Sequence, residues 1–105
     1  MADIEEIQAA VESAGQSPNG TSVDESVGTS AVEVLAENAD RGSALLQNID
    51  STNDIFVGFD SSVTTDGGVR VGANGGQYIV DEYTGPLFAI ANGSDTDVRV
   101  QEVSK

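Results

Sequence analysis

Catalysis near neutral pH needs a side chain that can move a proton or attack an electrophile. This sequence offers few: it has no His and no Cys, and its single Lys is Lys105. Carboxylates and hydroxyls are what remain. Asp81-Glu82 could serve as a glycosidase-type carboxylate pair, but neighbours on a strand point to opposite faces and do not converge. Solvation at a turn explains them better, and the chain is read as non-enzymatic. The missing Cys and His also exclude a zinc site built on those ligands and any disulfide.

Oxygen ligands for a hard cation are more plentiful. Asp50-Ser51-Thr52-Asn53-Asp54 and the run Asn92-Gly93-Ser94-Asp95-Thr96-Asp97 both place them at alternate positions. Neither has the twelve-residue frame and terminal Glu of an EF-hand loop. Asx-turns account for both without a metal, so no cofactor is expected. Asp95 and Asp97 are the candidate pair if a structural cation is held. Gly67-Gly68 and Gly75-Gly76 lack the Lys and following helix of a phosphate loop, and read as hairpin or bulge glycines.

The remaining candidates are contact residues. Arg41, Arg70 and Arg99 are scarce cations among 18 acidic residues. They either pair with nearby carboxylates or sit at subunit contacts, where their loss would cost more than that of a surface pair. The aromatics Phe56, Phe59, Tyr78, Tyr83 and Phe88 suit a core, with Tyr favoured at interfaces. Ile4, Ile7 and Val11 form an apolar stripe. With Arg70, Tyr83 and Arg99 they are the candidate interface residues.

Those residues must be positioned by elements legible in the hydrophobic pattern. The spacing of Ile4, Ile7, Val11 and Ala14 predicts a helix over 3–14, capped by Asp3 and stopped at Gly15. The polar, Gly-rich stretch 16–29 reads as a linker. Residues 1–29 are thus expected to be a helical arm, and 30–105 a β-domain. In the latter, about seven short strands recur roughly every ten residues, separated by turn signals. The expected fold is mainly β: a small antiparallel sandwich or barrel with an N-terminal helical arm.

Charge narrows the function classes. The formal net charge of −14 opposes direct binding to nucleic acid and to anionic membrane. The acids are interleaved with strand patterns, not gathered in a tail, and Lys is almost absent. That is the surface expected of a protein working in multimolar salt, where the Debye length falls to about 3 Å and self-repulsion is screened. The N-terminus is acidic and unlike a signal peptide, and no run approaches a membrane span. The expected localisation is accordingly soluble, without a secretion signal.

The order of motifs from Ser43 to Val103 adds a resemblance. Ala44-Leu45-Leu46-Gln47-Asn48 precedes a polar turn and Ile55-Phe56-Val57-Gly58-Phe59. Gly67-Gly68-Val69-Arg70-Val71, then Ala73-Asn74-Gly75-Gly76, lead to Tyr83-Thr84-Gly85-Pro86-Leu87-Phe88-Ala89-Ile90-Ala91 and finally Asp97-Val98-Arg99-Val100. This series resembles small β-barrel structural proteins of tailed viruses, and with the salt-adapted charge it points to a haloarchaeal virus. The resemblance implies a virion component, assembled in the host cytoplasm, that decorates the capsid or forms turrets by binding the major capsid protein or other virion proteins. A tail or head–tail component is the alternative, and a host halophilic calcium-dependent binding module is a second. A homo-oligomer, either a trimer or a capsomer-centred ring, is expected because so small a core gains stability by assembling.

Overall fold

The computed structural model describes residues 19–105. Eight strands run in order: β1 (Asn19–Val27), β2 (Val32–Leu35), β3 (Arg41–Asn48), β4 (Ile55–Gly58), β5 (Val69–Val71), β6 (Gly76–Asp81), β7 (Leu87–Ala91) and β8 (Thr96–Ser104). They form two four-stranded antiparallel sheets. Sheet A has the order β1-β8-β3-β6 and sheet B the order β2-β7-β4-β5. The first strand pairs with the last, the second with the seventh, the third with the sixth and the fourth with the fifth. Only the β4–β5 connection stays within one sheet. This nested pairing is the wrapping of a jelly roll.

Alternation explains the layering. Leu87, Ala89 and Ala91 point inward from β7, Ile55 and Val57 from β4, and Val98 and Val100 from β8, each on the period of two that a strand requires. Leu46 at the centre of β3 and Val27 at the end of β1 close the core from sheet A, all but inaccessible to solvent. The β5–β6 turn crosses from sheet B to sheet A rather than closing the hairpin that Gly75-Gly76 suggested. It carries Asn74 and Gly75 at φ of 63° and 99°, left-handed conformations that a tight reversal uses. The next glycine meets a different demand. A Cβ on Gly76 would lie 2.7 Å from the backbone nitrogen of Gly72, so only glycine permits this closure.

Two expectations are corrected. The fold has an eighth strand, β1, ahead of the seven that lie within 30–105, and no helix occurs among the described residues. The helix expected over 3–14, with Ile4, Ile7 and Val11, lies outside the described residues. The linker expected over 16–29 is, from Asn19 to Val27, a full strand paired with β8 from Asn19–Ser104 to Val27–Thr96. Its polar sequence hid it, because β1 is an edge strand and buries only Val27 completely. Main-chain hydrogen bonds to β8, not an apolar face, hold it in register.

Candidate assembly surfaces

The expected contact residues fall at separate places. Arg70 reaches from β5 to Asp54, with Nε 3.0 Å from Oδ2, and its side chain is largely exposed. Arg99 on β8 pairs with Asp24 on β1 at 2.8 Å, both side chains in solvent. Tyr83 is half-buried in the β6–β7 loop. Its ring lies 4.8 Å from that of Phe59, and its hydroxyl donates to the Pro86 carbonyl at 2.8 Å. The tyrosine therefore shapes its own loop as well as standing near the surface.

Asp95 and Asp97 do not converge with a third acid. Among the described residues no group of three or more metal-ligating side chains gathers. Asp95 sits in the β7–β8 turn at φ 56°, and Asp97 is exposed on β8. Between them Thr96 is fully buried. Its hydroxyl donates to Gly93 O at 3.1 Å and accepts from the Asn53 side-chain amide at 3.1 Å. That hydroxyl ties two turns together. Asp81 and Glu82 are both exposed, and Glu82 adopts a left-handed φ of 61°.

The acidic turns are organised by their own main chain. Asp50 is held below the ordinary aspartate range chiefly by the Asn53 N–H, then by that of Thr52. The Ala73 N–H, then the Arg70 guanidinium, do the same for Asp54. The Ser62 hydroxyl and N–H lower Asp60. Each group is more acidic folded than unfolded. Its contribution is complete above the unfolded value and is lost as pH falls through the lowered folded value. Thermal melts in multimolar KCl should therefore show stability falling on acidification below the ordinary carboxylate range. The Asp50→Asn and Asp54→Asn variants should flatten that slope. High salt is needed because relief of like-charge repulsion at low salt acts in the opposite direction.

Val23 and Ile49 are exposed singly, and the other exposed large apolar side chains fall in two places. At the β5–β6 end, a cleft of about 340 Å³ opens between the sheets, lined by Val57, Phe59, Val63, Val69 and Tyr78. Phe59 is 59% and Val69 54% exposed. The second place is the outward face of sheet A, where Ile79 is 65% exposed and Val103 39%. Strand register places Leu45 opposite Ile79 on β6 and opposite Gln101 on β8. The edges of β1 and β6 each have one side without a strand partner among the described residues. These contact features escaped the sequence reading, because runs such as Tyr78-Ile79-Val80 do not reveal which member points outward.

No family model and no curated protein matches this chain. A solved structure from work on Bacillus endospore appendages, described as a family of disulfide-linked pili, aligns over 82% of this chain and 85% of its own, with 10% identity and a TM-score of 0.48. Likeness of that degree carries no argument about what this chain does. Among the described residues no helix is long and apolar enough to cross a membrane.

Proposed function

We propose that this chain is a non-enzymatic structural subunit of a tailed-virus particle that works in concentrated salt, attached to the capsid through protein–protein contacts. The observation that carries the assembling role is apolar side chains on a strongly acidic jelly roll, with Phe59, Val69 and Ile79 each more than half exposed beside the β5 and β6 edges. Isolated strand edges and clustered apolar exposure are liabilities in a monomer and contacts in an assembly. The viral assignment rests on the ordered motifs between Ser43 and Val103, and the salt assignment on the distributed acidity.

The proposed partners are the major capsid protein or other virion proteins, with copies of the chain itself. Nucleic acid is disfavoured, since the charge of −14 repels phosphate. Gold-labelled antibody against the chain, applied to gradient-purified particles in high salt, should mark the capsid shell. Label on the tail alone would move the subunit to a tail position, overturning capsid decoration. Particles without label, beside a strongly labelled host fraction, would overturn the virion reading.

A further inference from the structure

We propose that the outward face of sheet A packs against the same face of a second copy of this chain. The face alternates away from the core on β3, β8 and β6. Leu45 stands at its centre on β3, with Ile79 beside it on the edge strand β6 and Val103 near the end of β8. Together with Gln77 and Gln101 they line a shallow trough of about 270 Å³. The trough continues past Gln47 toward Arg99 and Asp24 in a second depression of about 510 Å³. Register fixes this grouping: Leu45 opposes Ile79, Gln47 opposes Gln77, and Ser43 opposes Val103.

Charge selects the occupant. In a chain of net charge −14, the centre of this face carries no carboxylate. Toward β1, Asp24 is neutralised by Arg99 at 2.8 Å, and Asp81 and Asp97 stand at the margins on the ends of β6 and β8. A cationic partner would be drawn to the carboxylates elsewhere. A sugar would want an aromatic platform, and none of the aromatics lines this trough. An equally acidic copy can approach here, with Asp81 and Asp97 kept to the margins of the contact and like-charge repulsion screened within about 3 Å at 1 M salt. Glutamine amides donate and accept at once, so a two-fold pairing finds complementary partners in its own sequence.

Size sets the strength. Four strands about 4.8 Å apart, with outward residues spread over about 20 Å of β8, give a face roughly 20 Å on a side. The buried area would lie at the small end of specific interfaces, below about 1,200 Å² in total. The dimer should therefore be concentration-dependent in solution and reinforced by other contacts in a particle.

This inference rests on the reading of the chain as an assembling subunit, yet the two fail separately. Gold-labelled particles with a strictly monomeric isolated chain would remove only this face. Sedimentation velocity of the full chain in multimolar KCl should show a monomer–dimer equilibrium. Ile79→Asp should weaken it at least tenfold, while Val69→Asp, at another apolar position more than half exposed, on sheet B, should leave it unchanged. Circular dichroism melts establish that both variants fold. A photo-reactive side chain in place of Ile79 keeps the proposal testable if Ile79→Asp does not fold. Cross-links to Leu45 or Val103 of another copy support it. A monomeric wild type at every concentration, a dimer indifferent to Ile79→Asp, or cross-links running within one chain to residues 1–18 would overturn it.

Discussion

Replacing Arg41 with alanine should cost about 3–5 kcal/mol, the usual penalty for stripping one partner from a buried ion pair. That is a large part of the 5–15 kcal/mol that holds a typical domain folded. The Arg41 side chain has no solvent exposure, and its Nε donates to Glu102 at 2.6 Å. Its Nη1 donates to the carbonyls of Tyr83 and Gly85, each at 2.8 Å, and its Nη2 to that of Ala36. One planar group thus joins the segment after β2, the β6–β7 loop and β8. Alanine would leave three carbonyls and a carboxylate without donors at one end of the sandwich. Lysine keeps the charge but not the fork, so Arg41→Lys should recover only part of the loss. Urea unfolding at fixed KCl measures this directly. A loss below about 1 kcal/mol for Arg41→Ala would show that the clasp is not formed, since even ordinary single hydrogen bonds contribute about that much.

The second large effect is at Asn48, the fully buried last residue of β3. Its side-chain amide donates to the carbonyls of Asn53 at 2.8 Å and Val71 at 3.1 Å. Its Oδ1 accepts from the Asp50 N–H at 3.0 Å, and its own carbonyl accepts from Gly75 N–H at 2.7 Å. The residue fastens the 50–54 turn and the β5–β6 turn to the sandwich. Asn48→Ala should cost about 3 kcal/mol, given about 1–3 kcal/mol for each buried group left unpaired and incomplete additivity. In a domain of this size that lowers the melting temperature by more than about 10 °C. Asn48→Asp is the sharper probe. It keeps the shape but turns a carboxylate oxygen toward two carbonyls, and burial disfavours the charged form. Its deficit relative to wild type should be larger than that of alanine at neutral pH and should narrow as the acid is protonated on acidification. Equal deficits for Ala and Asp at every pH would contradict the assigned hydrogen bonds.

Neither residue advertised itself in the sequence. Arg41 stands between Asp40 and Gly42, where turn chemistry makes an exposed cation the natural reading. Only its scarcity pointed to pairing. Asn48 ends an apolar run, and a polar residue there reads as the start of a turn. Burial of both depends on partners distant in sequence, such as Glu102 for Arg41 and Val71 for Asn48. Local pattern carries no information about such partners.

Where a strand buries one face, the pattern was legible. Val98 and Val100, alternating with Arg99 and Gln101, declare their strand and its inward side. β1 did not, because an edge strand held by its backbone needs no apolar alternation. The assembly face was half legible. Ala44-Leu45-Leu46 and Tyr78-Ile79-Val80 announced apolar strands, but only cross-strand register shows that Leu45 and Ile79 share the outward side. The Asx-turn reading of the 50–54 motif was legible too: the Asp50 carboxylate closes its own turn onto the N–H groups of Thr52 and Asn53.

The central claim is that this jelly roll is a structural part of a particle. Quantitative mass spectrometry of gradient-purified virions, kept in high salt throughout, tests it most directly. The account predicts that peptides of this chain co-purify with the principal shell protein in a fixed ratio across the particle peak. Peptides confined to the host fraction, or a ratio that drifts across the gradient as a contaminant's would, contradict it.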